Sequence, residues 1–123
     1  MKVLIIDDST DITEVIRVYC ETIDVECDTI TDGGSGLSAI RENQYDLVLL
    51  DFAIPIFTGL DVIKSLKADG VLEKTNVVVF TASSDPRMFE EIKNSGVKEI
   101  LKKPCGIEEL EKVINKYNPT NLP

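Results

Sequence analysis

The chain is 123 residues long, with 13 basic and 22 acidic side chains, a formal charge of −9 and no histidine. That length suits one domain. The acid excess argues against nucleic acid and anionic membranes, both of which are bound through clustered Lys and Arg.

Cys20, Cys27 and Cys105 are odd in number and show neither a close pair nor a metal-like spacing. They read as buried or reduced thiols of a cytoplasmic protein. Met1-Lys2 leads into four apolar residues that two aspartates interrupt, which is no signal peptide, and nothing approaches the ~20 apolar residues of a membrane span.

Apolar runs alternate with helix-period segments along the chain, the pattern of βα units around a parallel sheet. A first strand near 2–6 carries Val3-Leu4-Ile5-Ile6 and stops on Asp7-Asp8. Ser9, Thr10 and Asp11 can each cap the helix that follows, whose inward stripe is Ile12, Val15, Ile16, Tyr19, Cys20 and Ile23. A more polar strand lies near 25–30, and Asp32-Gly33-Gly34 marks a loop before a helix over 34–43. The third strand, near 46–50, carries Leu47-Val48-Leu49-Leu50 and ends on Asp51. The next helix begins at Gly59 or Leu60, buries Leu60, Ile63 and Leu66, and ends by Gly70. A fourth strand near 76–81 runs through Val77-Val78-Val79-Phe80 to Thr81. Asp85-Pro86 supplies a cap and a first-turn proline for a helix closing at Asn94-Ser95-Gly96. A fifth strand near 97–101 leads into Lys102-Lys103-Pro104, and a last helix over 107–117 turns Ile107, Leu110, Val113 and Ile114 inward. Continuous hydrophobicity marks the first, third and fourth strands as central, with the second and fifth at the edges. Residues 1–117 form the expected domain, and 118–123 a tail or the start of a linker.

In such a sheet, ligands bind at the carboxyl ends of the strands, beside the point where strand order reverses. The residues there are Asp7, Asp8, Asp51, Thr81 and Lys103. Singly, each has an ordinary explanation. An acid pair often caps a helix, loops after strands are polar, threonine favours turns, and a lysine before proline is commonly just exposed. Their occurrence together outweighs those explanations. Three carboxylates that close repel one another; a divalent cation removes the difficulty, and all-oxygen ligation suits Mg²⁺. Phosphoryl transfer depends mainly on positioning and charge neutralisation. On that reading Asp51 is the nucleophile that forms an acyl phosphate. Asp8 and Asp7 hold the metal, the Thr81 hydroxyl bonds a phosphoryl oxygen, and Lys103 neutralises another.

Asp7-Asp8, Asp51-Phe52-Ala53-Ile54-Pro55 followed by Gly59, Thr81-Ala82 and Lys103-Pro104 stand in the order and spacing of one family. Over essentially its whole length the chain resembles the receiver domain of two-component response regulators. The resemblance implies a doubly wound α/β fold, flavodoxin-like (βα)5, with a five-stranded parallel sheet in the order 2-1-3-4-5. It implies that Asp51 accepts a phosphoryl group from a sensor histidine kinase, a phosphotransfer protein or a small phosphodonor. Mg²⁺ would be held by Asp8, Asp51 and the main-chain carbonyl of Ala53, with Asp7 helping through water. Lys103 would contact the phosphoryl group, and the Lys103-Pro104 peptide would be cis. Thr81 would swing toward the phosphate and shift the face made by the fourth helix, fifth strand and fifth helix, where an output protein binds. The expectation is a chemotaxis-regulator-like switch, a monomer or weak phosphorylation-dependent dimer, with no direct contact to nucleic acid or membrane. It is not an enzyme beyond self-catalysed transfer and slow loss of its own phosphate, because Ala53 and Ser83 do not reach far enough to orient an attacking water.

Two positions depart from the family pattern. Ile100 stands where receivers carry Tyr or Phe, and Cys105 where Phe is usual. Three other functions share parts of the set. A haloacid-dehalogenase-type enzyme places its nucleophile after the first strand with a second acid two residues on, a spacing that Asp7-Asp8-Ser9 lacks. A flavin binder can use Ser9, Thr10 and Thr13 at a helix start, but Asp7, Asp8 and Asp11 repel the flavin phosphate. A pseudo-receiver is favoured by Ile100 and Cys105 and opposed by the intact acids, threonine and lysine.

Overall fold

The computed structural model describes residues 1–82 and 85–121. Five strands, β1 (Lys2–Ile6), β2 (Glu26–Ile30), β3 (Leu47–Asp51), β4 (Val77–Thr81) and β5 (Glu99–Lys102), pair in parallel in the order β2-β1-β3-β4-β5. Between and after them run α1 (Thr10–Thr22), α2 (Gly33–Glu42), α3 (Gly59–Ala68), α4 (Pro86–Lys93) and α5 (Ile107–Tyr117). The architecture is the flavodoxin-like (βα)5 fold with its strand order reversing between β1 and β3. Short 3₁₀ turns at Leu72–Lys74 and Pro119–Asn121 are additions the hydrophobic pattern does not signal.

Alternation along each strand sends successive side chains to opposite faces, and this divides the core in two. Leu4, Ile6, Val48, Leu50, Val77 and Val79 pack against Leu37 and Ile40 of α2, Val62, Ile63 and Leu66 of α3, and Ile92 of α4. Val3, Ile5, Leu47, Leu49, Val78 and Phe80 pack against Ile16 and Cys20 of α1 and Leu110, Val113 and Ile114 of α5. The central strands are therefore covered on both sides, which is why they read as unbroken apolar runs.

Helix starts follow local chemistry. The Ser9 hydroxyl accepts from the Ile12 N–H, Asp32 from Ser35 and Asp85 from Arg87. Thr58 and Asp61 exchange bonds as a capping box.

Three apolar residues expected to point inward do not. Val15 is 59% exposed, Ile107 51% and Ile23 38%. Ile23 lies just past the last turn of α1, and Ile107 is the first residue of α5, so neither is over the sheet. The three thiols are free, as expected: Cys20 on α1 is buried, and Cys27 on β2 and Cys105 are half-buried. Ser83, which enters the expectation about phosphate loss, lies outside the described residues, as do Leu122 and Pro123.

Ile56, in the loop between β3 and α3, is fully exposed and has φ of 69°. A β-branched side chain is strongly disfavoured in that left-handed region, and here no burial compensates. Ile56→Asn is expected to stabilise the fold by about 1 kcal/mol, seen as a rise in the denaturant midpoint without a change in slope.

Candidate functional site

Parallel register brings the strand ends together. Ile6 pairs with Leu50, Asp51 with Phe80 and Thr81 with Lys102. Backbone bonds continue the alignment just beyond: Asp7 N donates to Ile30 O at 3.0 Å, Phe52 N to Phe80 O at 3.0 Å and Lys103 N to Thr81 O at 2.9 Å. Asp7, Asp51, Thr81 and Lys103 are thereby fixed at one sheet edge by main-chain geometry, with Asp8 one residue further along.

The carboxylates of Asp7, Asp8 and Asp51 each offer an oxygen within 4.8 Å of the others. Asp7 and Asp51 are buried, at 1% and 5% exposure, while Asp8 is open to solvent. Asp7 Oδ1 accepts from the Ser9 N–H at 2.9 Å, and its Oδ2 meets Lys103 Nζ at 2.9 Å. Asp51 Oδ1 accepts from the Ala53 N–H at 3.2 Å and lies 3.4 Å from Lys103 Nζ. Thr81 is buried at the end of β4, and the Lys103-Pro104 peptide is cis. All the residues singled out in the sequence thus share one edge, with Lys103 seated on Asp7 more closely than on Asp51.

Two glycines position this edge. A Cβ on Gly59 would fall 2.6 Å from the Asp51 carbonyl oxygen and 2.7 Å from Phe52 Cα. The start of α3 is therefore pressed against the backbone that carries Asp51, which explains why that loop needs glycine. A Cβ on Gly33 would fall 2.1 Å from the Phe57 carbonyl oxygen, so the start of α2 braces the same loop from the other side. The sequence marks Gly33 only as loop punctuation, and of the Gly33-Gly34 doublet it is Gly33 alone that has this packing role.

Burial raises the Asp51 carboxyl above the ordinary carboxylate range, the charge of Asp7 raises it further, and the Ala53 N–H and Lys103 offset part of the rise. Burial works against the Lys103 ammonium, but its bond to Asp7 and the charges of Asp51 and Asp7 outweigh that and hold its pKa above normal. One ammonium thus faces three carboxylates. The pocket is all oxygen, partly open through Asp8, and carries surplus negative charge, so the residues present fit a small divalent cation that keeps some of its water. Asp7, Asp8 and Asp51 would hold such an ion, and Mg²⁺ there would supply the charge that neutralises the carboxylates and an incoming phosphoryl group.

Residues 3–115 match the response regulator receiver domain. The chain belongs to that family. It is 29% identical over 118 residues to sporulation initiation phosphotransferase F of Bacillus subtilis, covering 96% of this chain and 94% of that protein. It is 30% identical over 109 residues to response regulator ArlR of Staphylococcus saprophyticus, covering 89% of this chain but only 48% of ArlR. Several curated relatives are matched over half their length or less. The receiver domain of Francisella response regulator 1452 superposes with a TM-score of 0.86 at 28% identity, covering 94% of each chain. The chain is therefore a phosphoacceptor receiver domain, the Asp7–Asp8–Asp51 cluster matches the family's Mg²⁺ site, and the family's chemistry is self-catalysed phosphoryl transfer. Among the described residues no helix is long and apolar enough to cross a membrane.

The charge imbalance has a consequence for stability. Because the folded Asp51 carboxyl binds its proton more tightly than the unfolded one, the folded state loses stability as pH rises from the ordinary carboxylate pKa through the raised value. Above that raised value the ionised receiver bears the whole of that loss. Asp51→Asn is expected to raise the melting temperature by a few degrees at pH 7 without Mg²⁺. The gap from wild type should narrow in acid, and scanning calorimetry across pH checks both.

Proposed function

We propose that the receiver is a phosphorylation-gated signalling switch whose acceptor is Asp51, acting in the cytoplasm under a histidine kinase or phosphotransfer partner. The observation that carries this is the setting of Asp51: a buried carboxylate with one oxygen held by the Ala53 N–H and Lys103, beside two further acids. An Asp51 oxygen attacks phosphorus as the N–P bond of the donor's phosphohistidine breaks. The imidazole leaves with the bonding electrons and takes a proton from water. Lys103 Nζ, lying between Asp7 and Asp51, is placed to pair with a phosphoryl oxygen. The backbone bonds at Asp7, Ala53 and Lys103 hold the reacting groups, so little reorganisation is needed. Asp7, Asp8, Asp51 and the Ala53 carbonyl are the proposed metal ligands. Residues 1–117 are the proposed domain, with 118–123 a tail or linker start. The short Ala53 side chain favours a long-lived acyl phosphate.

The donor must reach Asp51 from outside, and one apolar surface borders it. A cavity of about 480 Å³ between α1 and the start of α5 is lined by Ile12, Val15, Ile16, Pro104, Ile107 and Leu110 and reaches Lys103. The exposed Val15 and Ile107 belong to this cavity. It suits an amphipathic helix of the phosphohistidine-bearing partner.

Output lies on the α4–β5–α5 face, where Arg87, Glu90, Lys93, Glu108, Glu111 and Lys112 are exposed. Ile100 of β5 lines a hollow of about 240 Å³ there with Phe89 and Val97. The aromatic beside Ile100 in this hollow is thus on α4, and Thr81 is the proposed link from phosphate to face.

Incubation with acetyl phosphate is expected to add one phosphoryl group by intact mass only when Mg²⁺ is present, mapped to Asp51 and lost in Asp51→Asn. Phosphate on another residue, or uptake by the variant, overturns the assignment. Thr81→Ala is expected to weaken output binding more than phosphoryl uptake, read by pull-down beside a transfer assay; equal losses contradict the link. Val15→Glu should slow transfer from the kinase about tenfold, the loss of roughly 1.4 kcal/mol of docking energy, while uptake from acetyl phosphate stays unchanged.

A further inference from the structure

The hollow between α4 and β5 combines an apolar interior with a basic rim. Phe89, Lys93, Val97, Lys98, Glu99 and Ile100 line its volume of about 240 Å³. Pockets that enclose a small ligand run to ~300–1,000 Å³, so this one suits a single large side chain. Val97 and Ile100 pack against the core, whereas Phe89, half-buried on α4, joins neither half of it. Lys93 and Lys98 stand at the opening, and alternation along β5 puts Lys102 on the same face as Ile100. All three lysines are exposed, and none belongs to an ion pair among the described residues. The Glu99 carboxylate is already engaged: it accepts from the Tyr117 hydroxyl at 2.6 Å and lies 3.2 Å from Lys116 Nζ. A chain with a formal charge of −9 therefore keeps uncompensated ammonium groups around one apolar hollow. We propose that this hollow is the anchor pocket of the output face. Its occupant is an acidic segment of another protein, which seats one aromatic side chain on Phe89, Val97 and Ile100 while its carboxylates pair with Lys93, Lys98 and Lys102.

The proposal rests on the reading of α4–β5–α5 as the output face and adds the chemistry of what binds there. An aromatic ring suits the apolar part, because it can meet Phe89 in an offset or edge-to-face contact and bury a large area on a rigid side chain. The lysines favour a ring as well, since an ammonium over an aromatic face is attracted to it. Acidic residues beside the ring are selected by the rim. A basic flank would lose those pairings and meet like charge instead. The rest of the chain sharpens the choice. Its acid excess repels an acidic segment from most of the surface, so attraction is confined to the few places where lysines stand unpaired. The pocket wall also continues into the phosphoryl site, because Lys102 pairs in register with Thr81 and Lys103 follows it in the chain.

The test titrates a capped synthetic peptide, Glu-Asp-Trp-Asp-Glu, into the isotope-labelled whole chain and follows its amide resonances. The expected shifts are at Phe89, Lys93, Val97, Lys98 and Ile100. Replacing the peptide's Trp with Ala should weaken binding at least about tenfold, as loss of an anchor does. Lys93→Glu and Lys98→Glu, both exposed and so harmless to the fold, should each weaken it several-fold, and added salt should weaken it further. A Lys-Lys-Trp-Lys-Lys control should leave the hollow's amides in place. No shift at these amides at millimolar peptide, equal binding of the Ala peptide, or binding of the basic control in the hollow overturns the proposal. So does concentration-dependent self-association through the same amides, which would make a second copy the occupant, or tighter binding there by a short dT oligomer. Uptake from acetyl phosphate, read by intact mass on the same preparation, reports on Asp51 alone. Uptake without peptide binding therefore refutes the pocket and not the acceptor, and peptide binding without uptake does the reverse.

Discussion

The buried ion pair between Lys103 and Asp7, 2.9 Å apart and drawn from opposite ends of the chain, is the interaction on which the site depends. Asp7 is almost wholly removed from water, and a carboxylate so placed is tolerated only when it is paired and hydrogen-bonded. Lys103 supplies the pair and the Ser9 N–H supplies a bond. The same ammonium reaches Asp51 at 3.4 Å, so one cation is shared between two acids while Asp8 adds a third. A shortage of positive charge is therefore built into the pocket. Together with the burial of Asp51, that shortage accounts for its raised carboxyl, and it accounts for the fit to a divalent ion.

The rest of the fold supplies position. Strand ends line up because the parallel register is fixed by apolar runs covered on both faces, and main-chain bonds from Asp7, Phe52 and Lys103 carry that alignment into the loops. Gly33 and Gly59 allow α2 and α3 to close on the Asp51 loop from two sides. That loop includes a fully exposed isoleucine in a left-handed conformation. Strain beside a reacting group persists where the surroundings over-determine the backbone, and the two tight glycine contacts are such surroundings.

Most of this was legible in the sequence for a physical reason. Buried parallel strands need unbroken apolar runs, so their ends are sharply marked at Asp7, Asp51, Thr81 and Lys103, and the ends are where the chemistry lies. Helix periodicity is less exact. It assigned Val15 to the core, although Val15 sits at the border of the α1–α5 cavity, and it extended stripes to Ile23 and Ile107 beyond the reach of the sheet. The conformation of Ile56 carries no signal, because the Gly or Asn that usually marks such a turn is absent. The cis bond before Pro104 agrees with the expectation drawn from the family.

The central claim is that protons and a divalent cation compete for one over-charged carboxylate pocket. Calorimetric titration of the unphosphorylated receiver with Mg²⁺ at pH 7 and again near pH 5 tests it most directly. The account predicts one site whose affinity falls on acidification, with protons released as the ion binds in acid, and a smaller pH effect in Asp51→Asn. Binding that is unaffected by pH, or equally affected in the variant, would contradict it.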